Sequence, residues 1–428
     1  MKKIAFFIAT LLLAIRVTAQ AEPVNYLTAV TKFTQYYNHD QPDSIFSMFS
    51  TELKNVLPLD NFKPTTVQLK SQYGNLLKTE FISISQTLAV YKATFQNSTF
   101  LLNLALNAKN QVNGLTLGQY KEDKKSGVTI DPALDETPIT LKTLTGTISG
   151  SLVIPKNPSG KIPVVLIIAD AGPTDRDGNN VKTGVNGNTY KMLANDLGKN
   201  GIATVRYDKR LVGSSVTQGK ASELRIEDYG DDALGMLKML EDDQRFSKII
   251  TFGHGEGALV AGLAFNDSPA KAFIAAEWSA ENGDVILKNQ LKGKAQFLQD
   301  EFKTFLDSLR KGKTTPNIDP ALYFIASPNM QNFIMSWCRY DPLRGIKRIK
   351  APMLLIQGTS DLSVPVENGR KLKKSKSDAT LLEIKGMNHI LKEAPVDEGA
   401  NVATYEKPDL PLKPELVPAL VEFINKVK

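Results

Sequence analysis

Gly253-His254-Gly255-Glu256-Gly257 follows the apolar run Lys248-Ile249-Ile250-Thr251-Phe252 and precedes Ala258-Leu259-Val260-Ala261. A short apolar strand, a glycine-rich turn and an apolar helix, in that order, form a turn that lifts its central residue above the end of a sheet. Where that residue is a nucleophile the pattern reads Gly-x-Ser-x-Gly. Here the centre is Gly255, which carries no reacting atom. The stretch predicts the scaffold of a nucleophile elbow without its nucleophile.

Working outward from this turn, short apolar runs alternate with amphipathic ones. Strands are predicted at Gly150–Ile154, Val164–Ala169, Ala203–Tyr207, Ile249–Phe252, Ala272–Ala276, Met353–Gln357 and Leu381–Ile384. Helices are predicted at Lys191–Leu197, Glu227–Leu240, Ala258–Ala264, Asn368–Lys374 and Val417–Val427. Continuously apolar strands separated by helices imply a mainly parallel, doubly wound sheet covered on both faces. Residues 281–340 break the alternation. Leu291, Phe297, Leu298, Phe302, Phe305 and Leu309 mark a long amphipathic helical stretch.

Two later stretches carry candidate catalytic groups. In Gly358-Thr359-Ser360-Asp361 the acid follows a strand end, and in Gly386-Met387-Asn388-His389 the imidazole follows the next one. The chain order of elbow, acid and histidine is that of a triad, in which His389 would take a proton and Asp361 would hold its tautomer.

With the elbow and these two loops, Gly172-Pro173-Thr174-Asp175-Arg176-Asp177-Gly178-Asn179 and Arg206-Tyr207-Asp208-Lys209-Arg210 complete a resemblance. The chain from about Thr140 to Lys428 resembles bacterial α/β-hydrolases of the serine-aminopeptidase and carboxylesterase type. The resemblance implies hydrolysis of ester or acyl bonds through a Ser–Asp–His triad, no cofactor, a lid at residues 281–340, and a small acyl, ester or peptide-like ligand. Three departures surround one site. Gly255 replaces the nucleophile; Asp170-Ala171-Gly172-Pro173 stands where the family shows Gly-Ser-Gly-Pro; and Glu277-Trp278-Ser279-Ala280-Glu281 replaces a run of small residues. The resemblance implies an oxyanion hole at the backbone N–H groups of Glu256 and Ala171, and an inward-pointing Asp170 carboxylate would disfavour an oxyanion there. These features fit a pseudohydrolase that keeps its pocket. The alternatives are a hydrolase whose Asp361–His389 pair activates water at the space left by the missing side chain, a substitute nucleophile at Ser279 or Ser360, and an engineered Ser-to-Gly change. His254 is expected to support the turn. Asp175, Arg176, Asp177, Arg206, Asp208, Lys209 and Arg210 are expected to brace loops.

The remaining sequence bounds the setting. Met1–Ala21 reads as a signal peptide, with Lys2 and Lys3, an apolar stretch Ile4–Ile15 and the small-x-small site Ala19-Gln20-Ala21, so the product is expected in the periplasm or the medium. No other segment is apolar enough to span a bilayer, and stable membrane insertion is not expected. Removal of Lys2, Lys3 and Arg16 lowers the formal charge from +7 to +4, and nothing argues for nucleic acid as a partner. The single cysteine, Cys338, excludes intrachain disulfides and cysteine-based metal clusters.

Residues 22–120 suggest a small α+β accessory domain. Tyr26, Val30, Phe33, Tyr36 and Tyr37 share a helical face, Ser44–Leu53 continues as a second helix, and Glu80–Leu117 reads as a strand meander turning at Lys109-Asn110. This segment resembles NTF2-like modules, which would offer a surface for pairing with a second copy. His39 falls in an exposed turn. A linker is expected at 121–138 and the hydrolase domain at 139–428.

Overall fold

The computed structural model describes residues 22–85, 87–120, 128–180 and 183–428. Residues 1–21, the expected signal peptide, and residues 121–127 of the expected linker lie outside them. The chain forms two compact units, divided between residues 123 and 124.

The first unit begins with helices α1 (Val24–Asn38), α2 (Pro42–Ser47), α3 (Thr51–Val56) and α4 (Leu59–Tyr73). An antiparallel sheet follows, β1 (Leu76–Ser85), β2 (Leu88–Phe95), β3 (Thr99–Leu106) and β4 (Val112–Gln119), paired in chain order. Tyr26, Val30, Phe33 and Tyr37 of α1 bury against Tyr91, Phe95, Leu102 and Leu104 of the sheet. The single helix expected over Ser44–Leu53 is broken. Phe49 bridges Val112, and the Ser50 hydroxyl caps α3 by accepting the Leu53 N–H, so the chain must leave one helix before starting the next.

The second unit is built on β5 (Leu134–Thr143), β6 (Gly146–Pro155) and β7 (Ile162–Ile168), a two-residue ribbon of β8 (Asn179–Asn180) and β9 (Val185–Asn186), and α5 (Thr189–Lys199). Next come β10 (Ala203–Tyr207), β11 (Val216–Thr217), α6 (Ile226–Glu241), β12 (Phe246–His254), α7 (Glu256–Phe265) and β13 (Ala272–Ala276). The lid region holds α8 (Gly283–Gln290), α9 (Gln296–Arg310), α10 (Tyr323–Ala326) and α11 (Gln331–Trp337), followed by α12 (Pro342–Gly345). The unit closes with β14 (Met353–Gly358), α13 (Glu367–Ser375), β15 (Thr380–Ile384), α14 (Glu398–Val402) and α15 (Leu416–Lys426). β5 takes up the last five residues of the expected linker, so this unit starts earlier than 139.

The sheet order is β11-β6-β10-β7-β12-β13-β14-β15, with β5 paired to β6. All pairings from β10 to β15 are parallel, and β6 runs antiparallel to β10. The strands are buried on both faces. Val164, Leu166 and Ile168 of β7 pack on the side of α6 and α7, whereas Val165 and Ile167 join the core that contains α5 and α15. After β7 the chain moves outward to β10, then returns across β7 to β12. The carboxyl ends of β7 and β12 therefore flank a topological switch point, the usual place for a ligand crevice in such sheets. Asp170 follows β7 closely, and Gly255 follows β12 directly.

The lid has a core of its own, with Leu291, Phe302, Phe305 and Leu309 buried together. Phe297 was expected on this apolar face, but it lies in the first turn of α9 and is exposed.

Candidate active site

Gly255 has φ 51° and ψ −118°, the strained geometry of an elbow, between the last residue of β12 and the first of α7. Its N–H is held by the Ala276 carbonyl at 2.9 Å. The next glycine allows α7 to approach the sheet: a Cβ at Gly257 would stand 2.2 Å from the Ile168 carbonyl oxygen. The elbow survives without its side chain because backbone contacts, and not the nucleophile, shape it.

The space a serine would occupy is filled. A Cβ on Gly255 would lie 1.9 Å from Asp170 Oδ1. That oxygen accepts the Glu256 N–H at 3.0 Å, and Asp170 Oδ2 lies 2.9 Å from His389 Nε2. The Ala171 N–H also hydrogen-bonds the carboxylate. Asp170 thus takes both N–H donors expected of an oxyanion hole and the imidazole contact that a serine hydroxyl would make. The condition stated from sequence, an inward-pointing carboxylate, is met.

His389 Nδ1 lies 2.7 Å from Asp361 Oδ2, and Asp361 Oδ1 accepts the Ser363 and Val364 N–H groups. The imidazole therefore faces carboxylates on both ring nitrogens and donates from both, as an imidazolium. Burial opposes that charge, but Asp361 and Asp170 outweigh it and hold His389 well above its ordinary 6.5. Burial likewise opposes ionisation of Asp170, yet the His389 charge and hydrogen bond, with the Ala171 N–H, hold its carboxyl far below the usual range. Asp361 is lowered against burial chiefly by His389.

Glu277 extends this chain of groups. It follows β13 with φ 52°, in the left-handed region, and its carboxyl accepts hydrogen bonds from the Gly358 N–H at 2.7 Å and from the Gln357 amide. It also hydrogen-bonds Asp361. Burial first, then the Asp361 charge, raises Glu277 well above its ordinary 4.5, so it stays protonated and donates to Asp361. Sequence flagged this residue only as a departure from small side chains.

Asp170 is fixed from behind as well. Its N–H donates to the Tyr190 hydroxyl at 2.9 Å, and its carbonyl accepts from the buried Lys209 ammonium. His254 Nε2 donates to the His389 carbonyl at 2.7 Å, so its Nδ1 must accept from the Tyr190 hydroxyl at 2.8 Å. That neutral tautomer matches the fall of His254 to about 4, caused by burial. Lys209 also lies 3.7 Å from Glu256, beneath the elbow. Sequence reasoning treated Lys209 as a loop brace and did not single out Tyr190; no spacing signal marks either. Arg176 pairs with Asp208 at 2.7 Å and Asp177 with Arg206 at 3.0 Å, while Asp175 Oδ1 accepts N–H groups of Asp177 and Asn179. Arg210 pairs with the buried Asp232 at 2.7 Å.

A cleft of about 800 Å³ opens over Asp170, Gly255 and His389 and is walled by Trp278 and Trp337. Ser279 lines it, but among the described hydrogen bonds its hydroxyl serves the Glu281 N–H, and His389 Nε2 meets Asp170 and neither candidate serine. Cys338 lies outside this cleft, with burial pushing its thiol up to about 12. Among the described residues no group of three or more metal-ligating side chains occurs, and no helix is long and apolar enough to cross a membrane.

The strand order, the elbow at the switch point and the Asp361–His389 pair identify the architecture of the second unit. It is an α/β-hydrolase fold. The chain is 25% identical to Esterase EstD of Thermotoga maritima over 386 residues, which cover 85% of this chain and 89% of that protein. Among solved structures, Est1E of Butyrivibrio proteoclasticus with ferulic acid bound is 18% identical with a TM-score of 0.47, covering 67% of this chain and all of that one. A hypothetical protein from Pseudomonas aeruginosa is 14% identical with a TM-score of 0.48, covering 72% and 99% of the two chains. Residues 30–115 match the family described as "Protein of unknown function (DUF3887)".

Proposed function

We propose that this protein is an exported pseudoesterase: it keeps the pocket of an ester hydrolase and binds a small acyl, ester or peptide-like ligand there without acyl-enzyme chemistry. One observation carries the reading. The Asp170 carboxylate bonds both the Glu256 N–H and His389 Nε2, so the oxyanion hole and the general base are occupied by the protein itself. Loss of a triad nucleophile alone lowers turnover by about 10⁶-fold in a serine protease. A filled oxyanion hole removes donors worth a further factor of about 10²–10³.

Water activation by Asp361–His389 is the weaker alternative. A general base needs a free lone pair, and both ring nitrogens of His389 donate to carboxylates. The test uses the two tryptophans of the chain, Trp278 and Trp337, which both line the cleft. A short-chain nitrophenyl ester should change their fluorescence saturably while its hydrolysis by the unmodified chain stays at the level of His389→Ala. Hydrolysis that disappears in His389→Ala would reverse the choice between the two readings.

A further inference from the structure

Asp170 closes the site to acyl transfer, and it also charges the cleft. Asp361, His389 and Asp170 stand in line through contacts of 2.7 and 2.9 Å, an imidazolium between two carboxylates, and together carry one negative charge. Of the two carboxylates Asp170 alone reaches the opening: its side chain is 22% exposed, and that of Asp361 is covered. The described residues lining the cleft include no lysine or arginine to offset it. Lys209 is spent beneath the elbow, on the Asp170 carbonyl and on Glu256. A further carboxylate, Glu281, lies on the wall and is partly answered by Lys371 at 3.4 Å.

The polar groups beside Asp170 accept where they face the cleft. The Thr174 hydroxyl donates to the Ala171 carbonyl and the Thr189 hydroxyl to the Ile390 carbonyl, which leaves both oxygens as acceptors. The Glu256 and Ala171 N–H groups and both ring nitrogens of His389 are already committed to carboxylates. Asn180 lines the cleft at 5% exposure, and its Oδ1 has no hydrogen-bond partner among the described residues. A buried acceptor without a donor is costly, so this one calls for a donor from the ligand. The rest of the wall is apolar and aromatic, with Leu259, Ile286, Trp278 and Trp337. A matching ligand brings positive charge, several N–H donors and an apolar body. A primary ammonium supplies the charge and three donors in one group, and tryptophan faces favour a cation. A carboxylate ligand would meet Asp170 with like charge and leave the acceptors unpaired.

We infer that the ligand of this cleft carries a protonated primary amine on an apolar body, with the ammonium seated on Asp170 and the neighbouring acceptors. The inference narrows the pseudoesterase reading and rests on it, since it names what the retained pocket holds. Asp170 Oδ2 keeps lone-pair capacity beyond its contact with His389, and its backbone is pinned by Tyr190 and Lys209, so the charge stays aimed.

Four probes of one chain length separate charge, donors and apolar contact: hexylammonium, hexyltrimethylammonium, 1-hexanol and hexanoate. Each is titrated into the unmodified chain at neutral pH and followed by calorimetry. Hexylammonium should bind tightest, by about ten- to hundredfold over 1-hexanol, the worth of a charge-assisted hydrogen bond. Hexyltrimethylammonium, with the charge and no donors, should fall below hexylammonium, and hexanoate should bind weakest. Asp170→Asn keeps the shape and removes the charge, so hexylammonium should drop toward 1-hexanol; circular dichroism confirms that the variant folds. The inference is overturned if 1-hexanol or hexanoate matches hexylammonium in the unmodified chain, if hexylammonium does not bind, or if folded Asp170→Asn keeps the full preference. A nitrophenyl ester that binds where hexylammonium does not would overturn this inference and leave the pseudoesterase reading standing. Ester hydrolysis abolished by His389→Ala would refute that reading, and the ranking of the four probes would still decide this one.

Discussion

Replacing Gly255 with Ser restores the motif on paper, yet the structure predicts that this change alone fails. The new Cβ would lie 1.9 Å from Asp170 Oδ1 and 2.6 Å from Asp170 Cγ. The Asp170 backbone cannot retreat, because Tyr190 and Lys209 hold its N–H and carbonyl. Its carboxylate must therefore leave both the Glu256 N–H and His389. Each of those charge-assisted bonds contributes about 1.5–3 kcal/mol. The elbow backbone, relaxed for glycine, adds about 1–3 kcal/mol of strain for serine. The total loss is about 4–9 kcal/mol, a large share of the roughly 5–15 kcal/mol that stabilises a domain. Asp170→Gly together with Gly255→Ser removes the collision, frees the two N–H donors and returns Nε2 of His389 to the hydroxyl. Denaturant unfolding and hydrolysis of nitrophenyl acetate test the pair. The single variant should be strongly destabilised and inactive, and the double variant should be more stable than the single one and hydrolyse the ester. A single variant as stable as the parent and as active as the double variant would refute the reasoning.

Other consequences concern the groups behind the site. Glu277 and His389 both hold protons in the folded state that the unfolded chain gives up near 4.5 and 6.5, so stability is greatest below those values and falls as pH rises toward their folded ones. Each group contributes a slope of up to about 1.4 kcal/mol per pH unit while it differs between the two states. Glu277→Gln keeps an acceptor for the Gly358 N–H and a donor toward Asp361; unfolding free energies measured from pH 5 to 9 should show a flatter decline, beginning only near 6.5. Tyr190→Phe strands the Asp170 N–H and His254 Nδ1, and should lower the unfolding free energy by about 1–3 kcal/mol in a urea titration. Gly257→Ala drives a methyl into the Ile168 carbonyl, which is backbone and cannot swing away. The same titration should show a loss of about 1–3 kcal/mol or more.

The parallel strands were legible because burial on both faces makes them short, continuously apolar runs, as in Val164–Ile168 and Ile250–Phe252. β5 was not: it is an edge strand whose Asp135, Glu136, Thr137 and Pro138 face solvent, so its composition reads as linker. The break at Phe49 and Ser50 was also hidden, since the bridge to Val112 is a tertiary contact that no local periodicity encodes. In the site, Asp361 and His389 could be named from their places after strand ends. Asp170 and Glu277 could be named only as departures, because their meaning lies in contacts made across the fold. Asp170 meets Glu256 and His389 from 86 and 219 residues away, and Glu277 meets Gly358 from 81. What sequence counted as two separate losses, at Gly255 and Asp170, is one coupled arrangement in which the carboxylate occupies the vacated space.

The central claim is that Asp170 stands in for the nucleophile and holds His389 as an imidazolium. The chain has only three histidines, His39, His254 and His389, so nitrogen-15 NMR of the imidazole groups can follow each through a pH titration. His389 should show two protonated ring nitrogens through neutral pH, and Asp170→Asn should bring its titration down toward the ordinary range. A neutral His389 titrating near 6.5 in the unmodified chain, indifferent to Asp170→Asn, would contradict the account.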